Sequence, residues 1–292
     1  MEKITVFTPT YNRAYCLHRC YESLCRQTNP DFMWLIIDDG SSDETRTLVE
    51  KWQNEERIKI KYIYQENQGM HGAHNTAYKN ITTELNVCID SDDYLTDNAI
   101  EIILNYWEQH GSEEVSGIIC LDQDLKGNII GTKLPDIKTS RLFDLFNKHK
   151  VRGDKKLIYR TELTTHFPYP LFQDERYVGL DYKYLKLDES YPLLVLNEVV
   201  CCVEYQLDGS SYNMLYQYRN NPLGFSFYRK ELMQLPFATL AFKFRHAIHF
   251  VSSSLLMKNK KFLQETPEKL LTLIAIPPGM LLTGYIKMKT SR

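Results

Sequence analysis

The chain has 292 residues, 43% of them hydrophobic and 25% charged, which excludes a disordered or fibrous polypeptide and fits one large globular domain with an appendage. With 35 Lys+Arg against 37 Asp+Glu the formal charge is only -2, so no nucleic-acid-wide electrostatic footprint exists and an anionic ligand must be bound locally. Seven cysteines, an odd number with no CxxC pair and no zinc-type histidine spacing, argue against a disulfide framework and fit a reducing cytosol.

In chain order, the N-terminus enters a strand at once, over residues 3–8, and lacks the long apolar core of a signal peptide, so a cytoplasmic protein is expected. The pattern then predicts a helix over 14–27, a strand over 33–38 and a helix over 43–53 with Ser42 or Asp43 near its cap. A strand over 58–65, a helix over 73–79, a strand over 86–90 and a helix over 97–109 follow. This alternation predicts an α/β fold with a mainly parallel sheet, in which ligands gather at the carboxyl ends of strands. Past Val115 shorter pieces at 117–121, 128–131 and 156–159 read as mixed or antiparallel strands. Two apolar runs, 193–197 and 199–205, are separated by Glu198. From about Asn221 the chain turns helical, with Phe225, Phe227, Tyr228, Phe237, Leu240 and Phe244 forming an apolar stripe. Near the end, residues 270–282 are interrupted by Pro277-Pro278-Gly279 and trailed by Lys287, Lys289 and Arg292. They are too short and broken to span a bilayer. Core packing is their expected role, with peripheral contact at a membrane surface as the alternative.

Three polar segments fall at expected strand ends: 9–13, 38–43 and 90–93. The last, Asp90-Ser91-Asp92-Asp93, places three carboxylates within four positions. Such like charges repel and raise one another's pKa unless a cation neutralises them, and hard oxygen ligands suit Mg²⁺ or Mn²⁺ bridged to phosphate. An acidic turn that is merely solvated is the competing reading. Tyr11, after a proline-stiffened strand exit, is placed to stack on a flat base. Asp39, in a turn closed by Gly40, is suited to accept hydrogen bonds from a base N–H or a ribose hydroxyl. Gly69 and Gly72 leave room for backbone to approach a ligand, and Asn75 offers an amide near the start of the third helix.

Four motifs in order, Phe7-Thr8-Pro9-Thr10-Tyr11-Asn12-Arg13, Ile37-Asp38-Asp39-Gly40-Ser41-Ser42-Asp43, Asn67-Gln68-Gly69 with Ala73-His74-Asn75, and Asp90-Ser91-Asp92-Asp93, resemble glycosyltransferase family 2 over roughly the first 110 residues. The resemblance implies a GT-A, Rossmann-like fold with a mixed, mainly parallel sheet flanked by helices. It implies a catalytic domain over 1–215, divided into a nucleotide-sugar-binding half, 1–110, and an acceptor-side half, 111–215, with a helical extension over 216–292. Its activity would be inverting transfer from a UDP-sugar to a saccharide or lipid-linked acceptor, with Mn²⁺ or Mg²⁺ as cofactor. Pro9, Thr10, Tyr11, Asn12, Asp39, Gly69, Asn75, Asp90 and Ser91 would line the nucleotide, and Asp92 with Asp90 would hold the metal. His71 and His74 stand where members often carry basic residues, and a solvent-facing His71 is expected.

Inversion requires a base on the face opposite the leaving group. The resemblance points to Asp181, expected to open a helix, with Asp174, Glu175 and Asp188 as neighbours able to take the part. The segment 107–123 is expected to wall the donor sugar, and 205–211 resembles the family's segment over the active site. A non-catalytic nucleotide-sugar-binding module is the rival reading. A nucleotidyltransferase is a weaker one, because 9–12 is not the Gly-rich basic phosphate loop it requires.

Overall fold

The structure, a computed structural model, describes residues 2–204 and 213–291. These divide into two compact units, one of residues 2–168 and 190–204 and a second of 169–189 and 213–291. The expected segment over 205–211 lies outside the described residues.

In the first unit, strand β1 (Ile4–Thr10) is buried along its whole length, so it reads as a continuous β-branched and aromatic run rather than an alternating one. Chain order continues with α1 (Ala14–Cys25), β2 (Phe32–Asp38), α2 (Thr45–Glu55), β3 (Ile60–Tyr64), α3 (Met70–Asn80) and β4 (Leu85–Cys88). Then come β5 (Tyr94–Leu95), α4 (Ala99–His110), β6 (Gly117–Gln123), β7 (Thr139–Ser140), α5 (Leu142–Asn147), β8 (Lys155–Arg160), α6 (Thr161–Thr164) and β9 (Leu193–Cys202). All nine strands join one sheet in the order β3-β2-β1-β4-β8-β6-β9-β5, with β7 also on β9. Strands β3, β2, β1 and β4 are mutually parallel, as right-handed βαβ crossovers require. Strand β8 runs antiparallel to both β4 and β6, which returns β6 to the direction of β4, and β9 runs parallel to β6.

The core is aromatic on the α1–α2 side: Tyr21 stacks on Trp52 at 4.4 Å, and Trp34 sits 5.8 Å from Trp52 with its indole N–H donated to Thr8. Two expectations need correction. Residues 128–131 form no full strand: the Asp124 carboxylate accepts the Lys126 and Asn128 amide N–H groups in a tight turn, after which the chain pairs back on β6 through a single antiparallel bridge, Gln123 with Ile129. The two runs share one strand, β9, over Leu193–Cys202; a register shift opposite Ile119 and Leu121 takes up the polar break at Glu198.

The second unit is helical: α7 (Asp181–Leu187), α8 (Met214–Asn220), α9 (Pro222–Gln234), α10 (Leu240–Leu256), α11 (Phe262–Glu265), α12 (Lys269–Ile274) and α13 (Ile276–Thr290). Its core holds Met233, Ala247, Phe250, Val251 and Ala275. Gly279 lets α13 approach α10 closely, since a Cβ there would meet the Val251 side chain at 2.6 Å. The boundary differs from an extension beginning at 216, because residues 169–189 pack with these helices. Glu175 accepts the Leu223 and Gly224 amide N–H groups at 2.8 and 2.7 Å, and Asn221 accepts the Arg176 amide N–H at 2.7 Å. Contacts so distant in sequence leave no periodic trace.

Candidate active site

Because β1, β2, β4, β6 and β9 point the same way, their carboxyl ends share one edge of the sheet, and the start of antiparallel β8 lies on that edge too. The edge gathers Thr10, Asp38, Asp39, residues 90–93, Asp122 and Lys156.

At the exits of β1 and β2, Asn12 takes a left-handed conformation, φ 52°, tolerable for a short polar side chain. Its amide N–H donates to Ser41 Oγ at 2.9 Å, and its side-chain oxygen accepts the Ser42 N–H at 2.8 Å, which ties the two exits together. Tyr11 is half-exposed beside this tie, at 50%. Thr10 is buried, and its hydroxyl meets no hydrogen-bond partner among the described residues. Asp43 bonds the Thr45 amide N–H and also accepts the Ala14 N–H at 3.0 Å, so it serves the starts of two helices.

Asp38 and Asp39 are both buried but do different things. Asp38 accepts the Ser41 N–H at 2.8 Å and the Tyr62 hydroxyl at 2.5 Å. Asp39 accepts Gln65 Nε2 at 2.7 Å, the Gln68 N–H at 2.9 Å and the Gly69 N–H at 2.8 Å, and so fixes the loop that carries Gly69. Gly69, φ 80°, precedes α3, and Asn75 lies half-buried on that helix. His71 does not face solvent: it is buried on the inner side of α3, as is His74. His74 lies 3.2 Å from Tyr78 Oη and packs edge-on against Phe7. Helical spacing carries both rings toward the sheet, which the sequence shows as two polar letters.

The acidic motif is split by burial. Asp90 is exposed, Asp92 half-buried and Asp93 buried with Ser91. Asp93 faces inward to Lys156, 3.6 Å away, with side-chain exposures of 6% and 10%. Burial pushes the Asp93 carboxyl pKa up against the opposing pull of Lys156, and lifts Asp122 to about 6. Burial lowers the Lys156 pKa, but Cys201, Asp122, Asp93 and Asp90 outweigh it and hold the ammonium charged. One oxygen of the Asp122 carboxylate is buried with no hydrogen-bond partner among the described residues. Sequence reasoning passed over Asp122 and Lys156. Asp122 was findable, since it ends an apolar strand as the other site residues do. Lys156 was not, because only strand pairing brings it beneath Asp93.

No group of three or more His, Cys, Asp or Glu placed to hold a metal occurs among the described residues. Two carboxylates less buried than Asp93, those of Asp90 and Asp92, fit a different demand. Mg²⁺ dehydrates reluctantly and is usually held by one or two carboxylates together with substrate phosphates. The donor set therefore fits a hard cation that arrives with a nucleotide diphosphate.

Trp107 does not wall this edge. Its indole N–H donates to Glu84 at 2.6 Å, and it lines a cavity of about 540 Å³ with Arg160 and Ser112. Glu84 immediately precedes β4, so this cavity lies at the strands' amino ends; only the far end of 107–123, at Asp122 and Gln123, reaches the acidic edge.

In the second unit Asp181 opens α7 as expected and remains open to solvent. Its carboxylate accepts the Tyr228 hydroxyl at 2.6 Å. Protein packed around it pushes its pKa up, against the downward pull of Tyr228 and Arg229. Of the neighbouring carboxylates, Asp174 is exposed, Asp188 is buried, and Glu175 is buried and committed to the α9 amides.

The model of the glycosyl transferase family 2 matches residues 5–166. Over 212 residues the chain is 30% identical to the chondroitin synthase of Escherichia coli, an alignment covering 71% of this chain and 29% of that protein. The chain spans about a third or less of the length of the curated relatives it matches. Among solved structures, Staphylococcus aureus TarS 1–349 in complex with UDP-GlcNAc superposes with a TM-score of 0.65 at 18% identity, covering 99% of this chain and 83% of that one. A Pyrobaculum calidifontis mannosyltransferase in complex with GDP-Man and Mn²⁺ gives 0.54 at 17% identity, covering 99% and 76%. The mixed, mainly parallel sheet flanked by helices is the GT-A fold of these neighbours, and with the family model matching more than half of its residues, the chain belongs to glycosyltransferase family 2.

Proposed function

We propose that the chain transfers a hexosyl group from a UDP-sugar to a saccharide or lipid-linked saccharide acceptor, with inversion at the anomeric carbon. The observation that carries this reading is the split acidic motif: Asp93 is buried against Lys156, while Asp90 is exposed and Asp92 half-buried at the shared carboxyl edge. Tyr11 stacks on the base, and Asp39, already fixing the loop before α3, accepts from the uracil N–H or the ribose. Pro9, Thr10, Asn12, Gly69, Asn75 and Ser91 complete the nucleotide's surroundings. Asp92 and Asp90 hold Mn²⁺ or Mg²⁺, which when bound neutralises charge growing on the departing diphosphate. Asp181 takes the proton from the attacking acceptor hydroxyl. A TarS fragment binding UDP-GlcNAc supports the uridine nucleotide, and a neighbour binding Mn²⁺ supports the metal.

The test is UDP release from UDP-sugars with Mn²⁺ and candidate acceptors, paired with calorimetry of UDP binding with and without the metal. Asp92→Ala is expected to abolish metal-dependent UDP binding, and Asp181→Asn to keep binding and lose transfer. Full transfer in either variant removes that residue from the mechanism. Metal-dependent UDP binding with no release for any acceptor, in the unaltered chain, favours a binding module.

A further inference from the structure

The end of the chain was expected to pack in a core, and the structure places only part of it there. On α13, Gly279, Thr283, Ile286 and Thr290 are buried, with Thr283 bonded to Ser252 at 3.1 Å. Apart from Lys287 and Lys289, most of the remaining side chains of the helix are also apolar, and several face outward. Leu281 is 76% exposed, with Met280, Tyr285 and Met288 open beside it, and a Cβ at Gly284 would meet nothing within 4 Å. The spacing 281, 285, 288 puts these side chains on one stripe. On α12 the same division recurs: Thr272 is buried, while Leu270, at 70% exposed, Leu273 and Ile274 face out at i, i+3, i+4. A helix apolar on all sides is ordinarily enclosed, so an outward apolar half calls for an occupant.

Charge and length identify that occupant. Residues 269–292 carry Lys269, Lys287, Lys289 and Arg292 and no Asp or Glu, in a chain whose net charge is -2. A second copy docking through this face would set positive on positive. An anionic surface meets no such repulsion. The 15 residues of α13 reach about 22 Å, short of the ~30 Å hydrocarbon layer, and no helix among the described residues is long and apolar enough to cross a membrane. We infer that the outer faces of α12 and α13 dock in the plane of an anionic lipid bilayer, the leucines and methionines entering the headgroup boundary and Lys287 and Lys289 pairing with lipid phosphates. This inference does not depend on the sugar-transfer reading.

The full chain, without donor or metal, is floated with phosphatidylcholine vesicles and with vesicles in which about a third of the lipid is phosphatidylglycerol. It is expected to float with the anionic vesicles and to be released by salt. Leu281→Asp or Met288→Asp, at positions that contact solvent rather than the core, is expected to weaken partitioning at least about tenfold. Lys287→Gln with Lys289→Gln is expected to weaken it about twenty-fivefold, roughly fivefold per lysine. Circular dichroism and thermal melts confirm that each variant is folded. Equal flotation with both vesicle types, flotation unchanged by Leu281→Asp, or no flotation at all overturns the inference. If instead sedimentation shows a dimer that Leu281→Asp dissociates, the face belongs to a second copy and the inference likewise fails.

Discussion

The hydrogen bond from Tyr228 to Asp181 makes the proposed base testable without removing it. At 2.6 Å the phenol donates to a carboxylate, a bond to a charged acceptor worth roughly 1.5–3 kcal/mol in a dry setting. Asp181 remains open to solvent, so water replaces part of what Tyr228→Phe removes, and about 1.5 kcal/mol is the appropriate figure. The bond favours the ionised carboxylate, so its loss raises the Asp181 pKa further; 1.5 kcal/mol corresponds to about one pH unit. A base must be deprotonated to act. The acidic limb of the pH profile of kcat/KM, followed by UDP release, should therefore move up by about one unit in Tyr228→Phe. Rates below the limb should fall about tenfold, while the high-pH plateau changes much less. A uniform loss at every pH would mean that Tyr228 only packs the second unit. An unmoved limb at full activity would mean that Asp181 is not the titrating base.

Three further outcomes follow from the same geometry. His246 is buried, and its Nδ1 lies 3.0 Å from Arg229 Nη1, which donates only, so the ring is neutral; burial first, then Arg229, Arg245 and His249, pull its pKa down to about 2. The unfolded chain binds that proton near 6.5, so stability is lost as pH falls below 6.5, by roughly 2–3 kcal/mol at pH 4.5, and denaturant titrations should show a shallower acid slope for His246→Gln. Lys156→Met leaves Asp93 without its buried cation and should cost about 3–5 kcal/mol, with part of the loss restored by adding Asp93→Asn in a double-mutant cycle. Glu175→Ala frees two amides at the start of α9 and should lower stability by about 2 kcal/mol in denaturant unfolding, while UDP binding is unchanged; weakened UDP binding would show that the residue does more than cap the helix.

Much of the site was legible because it is local. Pro9 to Asn12, Asp39 and Asp90 to Asp93 each follow an apolar run short enough to be a strand, and parallel strands deliver their ends to one edge without further information. A limit appears at Trp107, which the family resemblance placed against the donor, yet which is bonded to Glu84 at the amino ends of the strands. Another appears at Glu175, a plausible base by letter and spacing, which the fold spends on the backbone of α9.

The amino-acid pattern by itself determined the βαβ frame and the position of the acidic motif at its carboxyl edge, because each depends on periodicity or on residues within a few positions of one another; the start of α7 at Asp181 came from the family resemblance. Tertiary structure alone decided that Asp93 is buried against Lys156 while Asp90 is exposed and Asp92 half-buried, that His71 and His74 are buried, and that an apolar stripe of the terminal helix meets solvent. Those outcomes turn on partners 60 or more residues away, or on which side of a helix finds a neighbour. A burial pattern set by such partners has no period for a sequence to display.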